Sequence, residues 1–220
     1  MADYFVAPSA NLFPIPEDVD DTTAALIECL STPVHAVRIA GDLTGARVVV
    51  LGAGTIGILT LVAARRAGAS VVAVTDTDAG KLARALRVGA DAAVDATADD
   101  VDSRLIAALG GPADVVLDCV ASERSMNQGI CLLRRAGTLL VVGVPPRSAA
   151  LPMPIVQDWE IRIQGCAAYT EEDVDTSIGI ALAGGLPVDE LVSATYPLDD
   201  IGQAFRAAAS DCSGKVLVAP

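Results

Sequence analysis

The sequence predicts an α/β fold built on a doubly wound parallel sheet, and three observations carry that expectation. Short apolar runs that do not alternate, such as Val48 to Leu51 and Val71 to Thr75, recur between helical stretches, as strands buried on both faces do. The first of these strands ends in the glycine-spaced turn Gly52-Ala53-Gly54-Thr55-Ile56-Gly57, which opens straight into an apolar helix. A hydrophobic content of 52% against 20% charged residues describes a well-buried core, which excludes a disordered or fibrous chain.

Taken in order, Ala2 to Pro8 reads as a strand without a neighbour in sequence to pair with, followed by the extended Pro14-Ile15-Pro16. Asp20 or Asp21 caps a helix over Thr22 to Cys29, and a second helix covers Ser31 to Ile39 before the breaks at Gly41 and Gly45. The central strand leads into a helix from Thr55 to Ala67, stopped at Gly68, and the next strand ends on Asp76. Asp78 caps a helix to Val88, with Leu82, Ala85 and Leu86 facing inward and Lys81, Arg84 and Arg87 solvated. Ala92 to Val94 is a third strand, and Asp99 or Asp100 starts a helix that stops at Gly110-Gly111. Asp114 to Cys119 is the fourth strand, Arg124 to Leu133 a helix and Thr138 to Val142 the fifth strand. Beyond Pro145-Pro146 the pattern loosens: an edge strand at Glu160 to Gln164, a helix at Glu171 to Ala183, a strand at Ala194 to Tyr196, a helix at Leu198 to Ala209 and a last strand at Lys215 to Val218.

The glycines of the turn point to chemistry. Gly52 lets the chain leave the strand sharply, Gly54 lets a pyrophosphate approach the backbone, and Gly57 lets the helix lie close to the sheet. The helix that starts there aims free N–H groups and the positive end of its dipole at an anion. Asp76 follows Gly57 by nineteen residues, where the second strand of a Rossmann unit delivers a carboxylate to the ribose of an adenine nucleotide. A tight turn in another α/β domain, or a methyltransferase with a similar loop, shares parts of this pattern. A 2′-phosphate beside Asp76 would cost about 1–4 kcal/mol at effective dielectrics of 80 to 20. No arginine directly follows Asp76, so NAD is expected over NADP.

A net charge of −13, with Lys and Arg scattered, disfavours nucleic acid and anionic membranes as partners. The five cysteines are far apart, odd in number and without a CxxC, which reads as reduced thiols in a cytoplasmic protein. The first ten residues do not form a signal peptide, and no uninterrupted apolar span has the length of a membrane crossing.

The segments ALIECLSTPVHAVR, VLGAGTIG, VVAVTD, LLVVGVPP and YPLDDIGQAF with GKVLV resemble, in order and spacing, the medium-chain zinc-dependent alcohol and polyol dehydrogenases. The resemblance is weakest between Arg147 and Leu191. It implies a Rossmann domain over residues 31–185, a remnant of a GroES-like catalytic domain and linking helix over 1–30, and a return segment toward that domain over 186–220. It also implies hydride transfer between an alcohol and NAD in the intact enzyme, with the alcohol oxygen polarised by zinc.

Residue by residue, the resemblance implies that Thr55 and Ile56 offer backbone donors to the pyrophosphate and that Asp76, with Lys81 beside it, holds the adenosine ribose. Val120, Val142 and Val144 would wall or hydrogen-bond the nicotinamide, and Lys215 would meet the pyrophosphate. Position alone equally fits Lys81 and Lys215 as surface charges and the valines as core. Glu28 in Glu28-Cys29-Leu30-Ser31 resembles a glutamate that lies at or near the catalytic zinc of the polyol branch. A catalytic zinc needs three protein ligands, and this chain has one histidine and no closely spaced cysteines, so it is not expected to bind zinc or turn over alcohol alone. His35 reads as a core histidine, Asp114 and Asp118 as strand-end caps, and no catalytic residue is identified. The family pairs subunits through an edge strand, for which Ile161-Arg162-Ile163 is the candidate in a homodimer. A zinc-free quinone or enoyl reductase and a non-catalytic nucleotide-binding remnant stay open as alternatives.

Overall fold

A computed structural model describes residues 4, 6–210 and 214–220. The first long element is helix α1, Asp21–Ala40, capped by the Asp20 carboxylate, which accepts from the Thr23 N–H. It leads into β1 (Arg47–Leu51), α2 (Thr55–Arg66), β2 (Val71–Asp76), α3 (Ala79–Val88), β3 (Ala92–Asp95), α4 (Val101–Leu109) and β4 (Ala113–Asp118). Then follow α5 (Glu123–Leu132), β5 (Leu133–Val141), α6 (Met153–Asp158), β6 (Arg162–Gly165) and α7 (Glu171–Leu182). The six strands form one parallel sheet in the order β3-β2-β1-β4-β5-β6.

The period of two along a strand explains why the sheet is covered on both sides. Val48 and Val50 of β1, Val72 and Val74 of β2 and Leu117 of β4 pack with α1, α2 and Ile180 of α7. Their neighbours Val49, Leu51, Ala73 and Val116 pack on the opposite face with α4 and α5. The fold class read from the sequence is therefore the observed one.

Several local expectations are corrected. One 20-residue helix replaces the two foreseen between Thr22 and Ile39, with Pro33 inside it. Proline removes one intrahelical bond, but Leu26, Leu30, Val34 and Val37 form one continuous buried stripe against the core, and that packing holds the helix together. On α3 only Ala85 is buried, and Leu86, expected inside, is 49% exposed. Ile161 is buried ahead of β6 and packs in the core, so the edge strand proper begins at Arg162. Of the expected strand at Ala2 to Pro8, Tyr4 and residues 6–8 show no strand, and the remainder lies outside the described residues.

The chain closes with α8 (Val188–Leu191), β7 (Val192–Pro197), α9 (Ile201–Ser210) and β8 (Lys215–Ala219). β7 and β8 pair in parallel as a separate two-stranded sheet. Among the described residues no helix is long and apolar enough to cross a membrane.

Helices α1 and α7 are joined by a buried ionic knot. The fully buried Asp173 accepts from Arg38 Nε at 2.7 Å and Nη2 at 3.0 Å, and from the Thr170 N–H at 2.7 Å. His35 Nδ1 lies 2.8 Å from the same carboxylate, which fixes the proton on Nδ1 as the donor and satisfies the histidine as structure.

Candidate functional site

The carboxyl ends of β1, β2 and β4 are tied together by backbone hydrogen bonds. The Gly52 N–H donates to Thr75 O at 2.8 Å and the Cys119 N–H to Leu51 O at 2.9 Å. Gly52 takes φ +93°, a left-handed turn that leaves the strand abruptly and favours glycine. A Cβ on Gly57 would lie 1.8 Å from Gly52 O, so only glycine lets α2 start this close to the end of β1. Gly54 is different. Its backbone (φ −67°, ψ −175°) suits any residue, and an added Cβ would meet nothing within 4 Å. The fold does not require glycine there, whereas a ligand resting on the backbone does.

Gly54 is the N-cap of α2 and supplies no side-chain cap. The N–H groups of Thr55, Ile56 and Gly57, in the first turn, have no intrahelical acceptor, so they and the helix dipole face the open space above Gly54. Asp76 closes the other side. Its Oδ2 accepts from the Ala53 N–H at 2.8 Å and its Oδ1 from the Asp78 N–H at 3.0 Å. Each carboxylate oxygen keeps a lone pair for a further donor. The acid and the glycine turn are thus one hydrogen-bonded unit, as a pyrophosphate cradle with an adjoining ribose acceptor requires.

Beside this unit lies a cleft of about 260 Å³, lined by Gly52, Asp76, Thr77, Ala96, Val120 and Arg124 among others. Small-molecule sites run to about 300–1,000 Å³, so this cleft suits one part of a dinucleotide. Its far wall is the turn after β4, organised by the fully buried Asp118. Burial pushes the Asp118 carboxyl up, against the N–H groups of Ala121 and Val120 and the Ser125 hydroxyl, all of which donate to it. Asp118 thereby fixes the loop that carries Val120, a capping role in agreement with the sequence reading. Asp114, at the other end of β4, holds Arg47 and Arg134 in ion pairs. Cys119 is inert: burial pushes its thiol up to about 12.

The other residues expected at the site are placed as follows. Val120 is 50% exposed and faces the cleft, and Val144 is 89% exposed on the loop after β5. Val142 is buried, with its side chain in the core and its N–H on Asp118 O at 2.8 Å. Lys81 is half-buried in the first turn of α3, outside the cleft lining. Lys215 is not directed at an open anion site: its Nζ donates to Cys29 Sγ at 2.9 Å. Glu28 accepts from the Tyr169 hydroxyl at 3.1 Å and contacts Cys29 Sγ at 3.5 Å. No group of three or more His, Cys, Asp or Glu side chains able to hold a metal occurs among the described residues, so zinc does not fit this set.

Sequence reading missed Ser122, Arg124 and Gln128, which also line the cleft. Their signal was available. They directly follow β4, the strand beside β1 on the side away from β2, and ligands of open α/β sheets bind outside the carboxyl ends where strand order reverses.

Residues 55–182 match the model of a family described as zinc-binding dehydrogenase. D-xylulose reductase A of Aspergillus niger is 31% identical over 224 residues, covering 100% of this chain and 63% of the relative. L-threonine 3-dehydrogenase of Idiomarina loihiensis is 31% identical over 220 residues, covering 99% of this chain and 64% of the relative. The chain therefore spans just under two thirds of the length of these curated relatives. A solved zinc-binding dehydrogenase of Sinorhizobium meliloti, bound to NADP, superposes with a TM-score of 0.88 at 30% identity, over 94% of this chain and 62% of that one.

Proposed function

Since the chain belongs to the zinc-binding dehydrogenase family, we propose that it holds NAD(H) for an oxidoreductase that moves a hydride between an alcohol or polyol and the nicotinamide. The observation that carries this reading is the hydrogen-bonded unit of Gly54, the free N–H groups of Thr55, Ile56 and Gly57, and the Asp76 carboxylate bound to Ala53. The residues fit the group: the first turn of α2 would take the pyrophosphate and Asp76 the adenosine ribose hydroxyls. When bound, the nicotinamide supplies the hydride chemistry. Val120 and Val144 expose apolar surface that would wall the ring and exclude water, while Val142 acts from behind by fixing the strand end. Lys81 would approach the ribose from α3. Lys215 would reach a phosphate only by leaving Cys29.

Glu28 would join a zinc only with two further ligands, and no step is assigned to it. The substrate class rests on the names of the relatives, which are those of a D-xylulose reductase and an L-threonine 3-dehydrogenase, enzymes that interconvert a carbonyl and an alcohol. The cytoplasmic reading rests on the unpaired cysteines among the described residues, at 29, 119, 131 and 166.

NADP is a second reading, favoured by the NADP held by the Sinorhizobium neighbour. Titration of the chain with NADH and NADPH, followed by nicotinamide fluorescence, separates the two. NADH is expected to bind more tightly, and Asp76→Ala to weaken NADH about tenfold or more through the lost charge-assisted bonds while affecting NADPH less. Equal loss for both cofactors removes Asp76 from the ribose.

Homodimer formation is proposed through β6, which among the described residues pairs only with β5. An unpaired edge of this kind is a template for a second strand. Sedimentation equilibrium at high concentration is expected to give twice the chain mass, and a sharply monomeric profile contradicts the pairing.

A further inference from the structure

Arg124 is a cation that the cofactor reading leaves without work. It lies on the first turn of α5, lines the same cleft as Asp76, and makes no ion pair among the described residues. Its Nη2 donates to Ala96 O at 2.9 Å. Ala96 follows β3 and Arg124 follows β4, and β2 and β1 lie between those strands in the sheet. The side chain therefore straps the cleft from one side to the other, across the ends of the two strands that carry Gly52 and Asp76. The β3 side of the strap is itself anchored to the site, because the Ala96 N–H donates to Asp76 O at 3.0 Å.

The order of groups along a dinucleotide fixes what lies under the strap. With the pyrophosphate at the first turn of α2 and the adenosine ribose at Asp76, the base continues past Asp76 into the space bounded by Thr77, Ala96 and Arg124. That space has no aromatic side chain in its lining. Of its three planar side-chain groups, the Asp76 carboxylate is taken up by the ribose and the Ala53 and Asp78 N–H groups, and the Gln128 amide is turned away onto Asp102 Oδ1 at 2.7 Å. The guanidinium, held by a single bond through Nη2, is the remaining flat surface, and guanidinium planes stack well on aromatic systems.

We propose that Arg124 is the base-stacking residue of this site, selecting a planar purine by its face and contributing nothing to the 2′ position of the ribose. This inference rests on the cofactor site proposed above. It is tested with AMP, 2′-phospho-AMP and nicotinamide mononucleotide as calorimetric probes, on the unaltered chain and on Arg124→Ala, Arg124→Lys and Arg124→Gln. Lysine can keep the charge and the bond to Ala96 O but has no plane, whereas glutamine keeps a plane without charge. Arg124→Ala and Arg124→Lys are expected to weaken AMP and 2′-phospho-AMP by the same factor, about two- to fivefold for a cation–π stack at an exposed site, and to leave nicotinamide mononucleotide unchanged. Arg124→Gln is expected to lose less than Arg124→Lys. A loss confined to 2′-phospho-AMP makes Arg124 a phosphate partner and overturns the proposal, as does full AMP affinity in Arg124→Lys. Failure of the unaltered chain to bind AMP is a different result, which removes the cofactor site itself.

Discussion

Gly57→Ala is expected to lower stability by about 1–3 kcal/mol, the usual cost of forcing an extra carbon into a packed site, and to weaken NADH binding more than tenfold. The added Cβ would sit 1.8 Å from Gly52 O and 2.8 Å from its carbonyl carbon, both backbone atoms that no rotamer change can move aside. Relief requires α2 to withdraw from the end of β1, carrying the Thr55 and Ile56 N–H groups away from the phosphate. Gly54→Ala is the matching control. Its Cβ meets nothing within 4 Å, so stability should stay within about 0.5 kcal/mol, as for other substitutions remote from packing, while NADH binding falls because the methyl occupies the ligand's approach. Denaturant unfolding and fluorescence titration of the two variants check the pair. Unaltered NADH affinity in Gly54→Ala would show that the open space above residue 54 is not where the pyrophosphate lies.

Asp173→Ala should produce the largest loss of stability, about 3–5 kcal/mol, the cost of breaking a buried ion pair by removing one partner. Arg38, His35 and the Thr170 N–H would all lose the same acceptor, and α1 would lose its principal polar tie to α7. The pH dependence follows from the carboxyl's surroundings. Burial pushes Asp173 up, but the Arg38 guanidinium, the Thr170 N–H and hydroxyl, and His35 together hold it well below the usual carboxylate range. A carboxyl depressed in the folded state contributes its full stabilisation above the unfolded value, about 3.9, and loses it as pH falls through the lower folded value. The gap between the unaltered chain and Asp173→Ala, measured by urea unfolding, should therefore be constant from about pH 5 to 7 and narrow below about pH 4. A gap that does not narrow in acid would mean that Asp173 acts through packing and not through its charge.

What could be read from the sequence was local, and what could not was long-range. The turn from Gly52 to Gly57 and the acid at Asp76 lie within one βαβ unit, where spacing alone fixes geometry, and the structure joins them through Ala53. The strands were legible because runs such as Val48 to Leu51 must be covered on both faces, which leaves few alternatives to a doubly wound sheet. The place of Arg124 after β4 was legible, but its bond across the cleft was not, because it meets Ala96 across 28 positions. Asp173 and Arg38 are 135 positions apart, and nothing in either neighbourhood announces the pairing. The break expected between Cys29 and Ser31 misled in the opposite direction: the buried stripe of α1 runs through it, and Pro33 lies inside the one helix. Lys215, assigned to the pyrophosphate by resemblance, has the thiol of Cys29 as its partner here, a contact across 186 positions that no local pattern announces.

The most direct test is an amide-resolved NMR titration of the chain with NADH. The account predicts that the largest shifts fall on the N–H groups of Thr55, Ile56 and Gly57, with Ala53 and Asp78 following as the Asp76 carboxylate takes up the ribose. Saturable binding that leaves those five amides unmoved would contradict it.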